Sequence, residues 1–131
     1  MSDTMNTHTK GRLNENKIRK HYENNGYIMY RPPSTKYGEQ DIFGHWDLLG
    51  MNRDVSKLIQ VKSNMTDVSK FKKKSEKWCA LNCLERDGHN PNYLFDYELF
   101  AVLPKGKIRK WRWCPFLLKW YEELDLNKFY E

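Results

Sequence analysis

Hydrophobic and polar positions along the chain fall into two periods, one helical and one of strict alternation. At 10–25, Gly11, Glu15, Ile18 and Tyr22 recur at three- and four-residue spacing, which predicts a helix. Asn25-Gly26 ends it, with Gly26 suited to a left-handed cap. Residues 27–31 (Tyr-Ile-Met-Tyr-Arg) read as a strand stopped by Pro32-Pro33, and 32–41 as a polar loop. A strand at 43–50, a turn at Asn52-Arg53-Asp54 and a strand at 56–62 follow. Their short link makes the two strands antiparallel neighbours. The longest helical pattern covers 66–86, with Phe71, Trp78, Leu81 and Leu84 as its stripe and Gly88 as its stop. Residues 93–103 read as a strand and Pro104-Lys105-Gly106 as a turn. Residues 108–114 read as a half-exposed strand, with Trp111 and Trp113 on one face and Lys110 and Arg112 on the other. Residues 115–131, carrying Leu117, Leu118, Tyr121 and Leu124, read as a short amphipathic helix.

The order is helix, three strands, helix, two strands, helix. It predicts an α/β fold: one central mixed sheet flanked by helices. A length of 131 residues suits a single domain over 1–131, with residues 1–10 expected as a flexible tail. No run of 18 apolar residues suggests a membrane span, and the N-terminus lacks the blocks of a signal peptide. Three cysteines, an odd number, do not make a disulfide framework, so a reducing, cytoplasmic setting is expected.

Charge adds a preference for polyanions. There are 23 basic and 17 acidic residues, a net charge of +6. The excess gathers at 70–77 (Lys-Phe-Lys-Lys-Lys-Ser-Glu-Lys) and 105–112 (Lys-Gly-Lys-Ile-Arg-Lys-Trp-Arg), where aromatics sit among cations. Either segment can be a plain solvated face or a grip on phosphates, because Coulomb attraction to a phosphate backbone demands little geometry.

The chemistry concentrates in the paired segments 44–50 (Gly-His-Trp-Asp-Leu-Leu-Gly) and 57–63 (Lys-Leu-Ile-Gln-Val-Lys-Ser). Alternation puts Gln60 and Lys62 on one face of a strand, and Ile59 and Val61 on the other, toward the core. Across the hairpin Asp47 comes beside Gln60, since cross-strand neighbours are roughly 5 Å apart. A carboxylate, an amide oxygen and an ammonium then converge. Phosphodiester hydrolysis uses such groups: oxygens for a hard divalent cation, and a cation for the charge of attack. Glu15 falls on the inward stripe of the first helix, where a carboxylate requires a metal ion or a salt-bridge partner.

On these residues the chain resembles the PD-(D/E)xK nuclease superfamily, near archaeal Holliday-junction resolvases and related small endonucleases. The resemblance spans about residues 11–86. It rests on Glu15, on Asp-Leu-Leu-Gly at 47–50 and on Ile59-Gln60-Val61-Lys62-Ser63. It implies a restriction-endonuclease-like core of order α-β-β-β-α-β and a Mg²⁺-dependent endodeoxyribonuclease, with Mn²⁺ as substitute. Glu15, Asp47, Gln60 and the Val61 carbonyl would hold the metal, and Lys62 would activate water. Asp41 competes with Asp47 for the first acid. Ser34 resembles a substrate-contacting serine, and Lys36, Lys70, Lys72, Lys73 and Lys74 are the cations expected to meet nucleic acid. The implied partner is DNA, including branched or junction DNA, and a symmetric substrate implies a homodimer. Gln60 departs from the family's usual acid, so a catalytically inactive nucleic-acid-binding module on the same scaffold is the alternative. A protein-interaction module docking through the aromatic carboxy-terminal region is a third reading.

Other constellations read more plainly. Cys79 and Cys83, with His89 and Cys114, lack the spacing of a zinc site and are expected as reduced thiols. His45 lies two residues before Asp47 and is expected near the site, in contact with phosphate or water, or as a surface histidine. Trp111, Trp113 and Trp120 can stack on bases, but core packing is the default for at least two of them, and for Trp46.

Overall fold

The computed structural model describes residues 7–35, 38–39, 41–82 and 95–124. Helix α1 spans Thr7–Asn24 and is followed by β1 (Ile28–Tyr30). A small hairpin of β2 (Ser34–Thr35) and β3 (Gly38–Glu39) occupies part of the expected loop. Then come β4 (Leu48–Met51), β5 (Ser56–Lys62), α2 (Met65–Leu81), β6 (Phe95–Val102), a 3₁₀ turn at Pro104–Gly106, β7 (Ile108–Cys114) and β8 (Lys119–Glu123). The main sheet has six strands in the order β1-β4-β5-β6-β7-β8. Only β5 and β6 pair in parallel; the other neighbours are antiparallel. The parallel pair needs a crossover, and the link that contains α2 makes it. The fold class is therefore α/β, with a mixed sheet and two helices among the described residues.

Alternation along the strands builds two cores. Ile59, Val61, Phe100 and Val102 pack with Ile18 and Tyr22 of α1. Leu58, Leu99, Ala101, Trp111 and Trp113 pack with Val68, Phe71 and Cys79 of α2 and with Trp46. The stripe expected on α1 is the observed one: Glu15, Ile18 and Tyr22 are buried, whereas Leu13 is exposed. On α2 the phase differs from the expected stripe. The buried line runs Val68, Phe71, Ser75, Cys79, and Leu81 is exposed. Ser75 tolerates this position because its hydroxyl donates to the Phe71 carbonyl at 2.7 Å. Asn64 caps the helix, accepting from the Asp67 N–H at 2.8 Å.

Three expectations change. The strand foreseen at 43–50 begins only at Leu48, because Phe43 and Gly44 adopt positive φ and cannot extend. They form a tight turn closed by the Ile42–Trp46 bridge, which sends the Trp46 indole into the core. The helix foreseen at 115–131 is replaced, as far as Leu124, by a turn and strand β8. There β7 gains a partner for its outer backbone groups, in the register Trp113–Trp120 and Cys114–Lys119. The face of β7 expected to meet solvent is buried instead. Lys110 has no exposed surface, and Arg112 is partly buried.

That buried face holds an ionic cluster the sequence reading did not anticipate. Glu98 of β6 is fully buried, with Lys57 Nζ at 2.6 Å, Lys110 Nζ at 3.5 Å and Arg112 at 3.4 Å. The Tyr22 hydroxyl also donates to it, in a short hydrogen bond. Burial alone would raise the Glu98 carboxyl, but Lys57, Lys110 and Arg112 outweigh it and hold it below its ordinary value. Glu123 answers Lys110 at 3.2 Å and Arg112 at 3.1 Å.

Gly88, Cys83, His89, Lys36 and the segments 1–6 and 125–131 lie outside the described residues, as do the side chains of His8 and Ser34. No described helix is long and apolar enough to cross a membrane.

Candidate functional site

The end of β5 that leads into α2 collects the groups singled out by alternation. Asp47 lies just before β4, and its N–H donates to the Ile59 carbonyl at 2.9 Å. This continues the β4–β5 ladder by one position and sets Asp47 beside Gln60. The hairpin's turn is held by Asn52, whose side-chain oxygen accepts from the N–H groups of Asp54 and Val55 at 2.8 and 2.9 Å. Register is thus fixed from the turn to the site.

Three side chains meet there. One terminal atom of the Gln60 amide lies 2.8 Å from Asp47 Oδ1 and also against Oδ2; the other lies 3.2 Å from Lys62 Nζ. The Val61 N–H donates to Asp47 Oδ2 at 3.1 Å. Two orientations of the amide have different consequences. With its nitrogen toward Asp47, the amide donates to the carboxylate and accepts from Lys62, and every group is satisfied. With its oxygen toward Asp47, carboxylate and amide oxygens face one another, an arrangement satisfied by a bridging cation or by a proton on the carboxyl. Lys62 is steadied from the other side by the Phe71 ring, 5.8 Å from its ammonium.

Glu15 approaches from α1. It is buried, and Arg31 Nε donates to its Oε1 at 2.8 Å. Arg31, on the chain after β1, is the residue that sequence reasoning missed, and nothing local to it signals the contact. Asn14 beside it donates to Ser63 Oγ at 2.8 Å, which ties α1 to the end of β5. Burial and, next to it, the negative charge of Glu15 raise the Asp47 carboxyl to about 7, against the Val61 N–H and, more weakly, Lys62, which act the other way. A buried carboxyl that resists ionisation, beside a second carboxylate that Arg31 pairs, would ionise more readily with a further positive charge at hand. This fits a hard cation with oxygen ligands.

The remaining candidates scatter. Asp41 is exposed and contributes only a minor upward push on Asp47. Ser34 falls in β2. Lys70, Lys73 and Lys74 are exposed on α2, whereas Lys72 lies over the Trp111 ring at 4.6 Å. Trp111 and Trp113 are buried and Trp120 is partly buried against them, so all three serve packing. Arg109 of the second basic segment pairs with Glu122 at 2.6 Å. His45 does not join the site; it lies against Trp78 at 5.4 Å. Cys79 is a buried free thiol in the core. Among the described residues no three His, Cys, Asp or Glu side chains form a metal-holding group.

Neither a scan against protein-family models nor a search of the curated proteins finds a match for this chain.

Proposed function

We propose that this protein is a metal-dependent endonuclease that hydrolyses phosphodiester bonds in DNA, on a restriction-endonuclease-like core. The observation that carries the reading is the meeting of Asp47, Gln60 and Lys62 at the end of β5, with the Gln60 amide 2.8 Å from Asp47 Oδ1 and 3.2 Å from Lys62 Nζ. Asp47, the Gln60 oxygen and the Val61 carbonyl would hold Mg²⁺ or Mn²⁺, with Glu15 adding charge. Such an ion supplies Lewis-acid polarisation of the phosphate and an acidified water. The chain's own groups do the rest. Lys62 offers a positive charge to the attacking oxygen and to the charge developing on phosphorus. The Val61 N–H fixes Asp47, and Arg31 fixes Glu15. The lysines of α2 lie on the element that begins three residues after Lys62 and would draw in the phosphate backbone. A symmetric branched substrate would need two copies of the chain.

The test is cleavage of linear and branched DNA with Mg²⁺ or Mn²⁺. Wild type should cut, and Asp47→Ala and Lys62→Ala should each lose at least about a hundred-fold in rate. Equal activity in all three proteins would remove the site assignment.

One observation favours a second reading. With the Gln60 nitrogen toward Asp47, the triad is satisfied with no metal, which suits a nucleic-acid-binding module that has lost catalysis. Calorimetry separates the two: salt-sensitive DNA binding without detectable Mg²⁺ or Mn²⁺ binding selects the module.

A further inference from the structure

At the other end of α2 lies a cavity of about 430 Å³, lined by Phe43, Leu58, Trp78, Asn82, Phe95 and Tyr97. Four of its six walls are aromatic. It shares the α2 face of the sheet with the candidate site, since Leu58, Gln60 and Lys62 alternate along β5. Four residues of strand separate Leu58 from Lys62, roughly 13 Å.

The walls are held in place. The Tyr97 hydroxyl donates to the Asn82 carbonyl in a short hydrogen bond, and Asn82 Nδ2 donates to the Trp78 carbonyl at 2.8 Å. Phe43 is the exposed member of an aromatic cluster in which Tyr97 is buried and Trp78 and Phe95 are partly buried. It is 63% exposed and sits at φ 55°, a conformation a bulky residue rarely adopts. That turn keeps its ring roughly parallel to Trp78, 6.1 Å away with 27° between the planes. His45, beside Trp78, has a buried Nδ1 without a hydrogen-bond partner among the described residues.

Charge runs toward this cavity. Lys70, Lys73, Lys74 and Lys77 are exposed at i, i+3, i+4 and i+7, one stripe of α2. The stripe rises about 10 Å along the helix. It starts near the end that follows Lys62 and finishes one residue before Trp78.

We propose that the aromatic cavity receives an unpaired base of a single-stranded nucleic-acid segment. Its phosphates follow the lysine stripe toward Gln60 and Lys62. The proposal rests on the nucleic-acid reading above and deepens it: the substrate carries an unpaired base rather than being continuous duplex. A base offers a flat π-face to Phe43 and Trp78 and a polar edge to Asn82, and its backbone offers the anions that lysines attract. An apolar peptide side chain would have no use for the stripe. Stacking of this kind accepts any base, so the pocket selects single-strandedness rather than sequence.

The experiment compares Phe43→Ala, Phe43→Trp and wild type in EDTA at low salt. Fluorescence anisotropy is measured with a short single-stranded oligothymidylate and with a duplex of equal length. Phe43→Ala should weaken single-strand binding about 5- to 150-fold, the loss of one base–aromatic stack, and change duplex binding less than about two-fold. Phe43→Trp should retain single-strand affinity. An oligonucleotide carrying 5-iodouracil should photo-crosslink to peptides containing Phe43 or Trp78. Unchanged single-strand affinity in Phe43→Ala, or crosslinks only elsewhere, would overturn the pocket assignment while leaving the nuclease reading intact. Absence of binding to both oligonucleotides would overturn both. Because Phe43 is exposed and its ring leaves no core void, matching thermal midpoints of variant and wild type check that the fold is unchanged.

Discussion

Asp47 is the residue whose chemistry is most altered by its surroundings. Its carboxyl is lifted from 3.8 to about 7 by burial and by Glu15. The folded protein therefore retains a proton that the unfolded chain releases above about pH 4. The stability from this proton is complete below the unfolded value, declines as pH rises, and is gone above about 7. Asp47→Asn keeps the acceptor for the Val61 N–H and removes the titration. Without divalent metal it should be more stable than wild type at pH 8, by on the order of a few kcal/mol, with the gap narrowing below pH 7 and closing only below about pH 4. Added Mg²⁺ at pH 8 should raise the midpoint of wild type and not of the variant, and apparent Mg²⁺ affinity should fall about ten-fold per pH unit below 7. Thermal scans across pH, with and without Mg²⁺, read all of these. Asp47, Gln60 and Lys62 were legible because period-two alternation and a short hairpin suffice to bring them together. Arg31 was not legible. Its contact with Glu15 depends on where α1 crosses the sheet, and no local spacing encodes that.

At the scale of elements, β5 and β7 matched their expected bounds, while the segment after Cys114 did not form the expected helix. Leu117, Leu118, Tyr121 and Leu124 satisfy a helical period, yet the chain makes a hairpin. The Trp113–Trp120 pair stacks edge to face at 5.6 Å, and backbone pairing along β7 outweighs the local pattern. Leu118 turns the corner at φ 53° and is half exposed, so it bears strain with little burial in return. Leu118→Gly should stabilise the protein by about 0.5–1 kcal/mol, seen as a higher denaturant midpoint at unchanged slope. A lower midpoint would mean that the leucine side chain contributes more than its conformation costs.

Across the whole molecule, Glu98 joins four elements: Lys57 from β5, Lys110 and Arg112 from β7 and Tyr22 from α1. Removing its charge takes from buried Lys57 its nearer counter-charge, leaving Asp96 at 3.8 Å, so Glu98→Gln should cost about 3–5 kcal/mol, read by chemical denaturation at pH 7. Its depressed carboxyl contributes stability above the ordinary glutamate value and loses it as pH falls through the folded value. Wild type should therefore weaken steeply below about pH 4.5, whereas Glu98→Gln should be flatter there. The alternating charges Lys110 and Arg112 stand in the sequence, but reading them as a solvated face was the natural inference. Burial of both faces of a sheet is a property of what packs on it, not of any one strand.

The sequence alone determined what depends on near neighbours. Strand and helix periods, the Asn52 turn, the faces of β5, and hence the meeting of Asp47, Gln60 and Lys62, follow from backbone geometry repeated over a few residues. The tertiary structure alone decided what depends on distant segments sharing one volume: the Arg31–Glu15 pair, the β7–β8 hairpin, the buried Glu98 cluster and the aromatic cavity beyond Trp78. Burial, charge compensation and the pairing of backbone groups act through space, and their partners are fixed only when the chain has closed on itself.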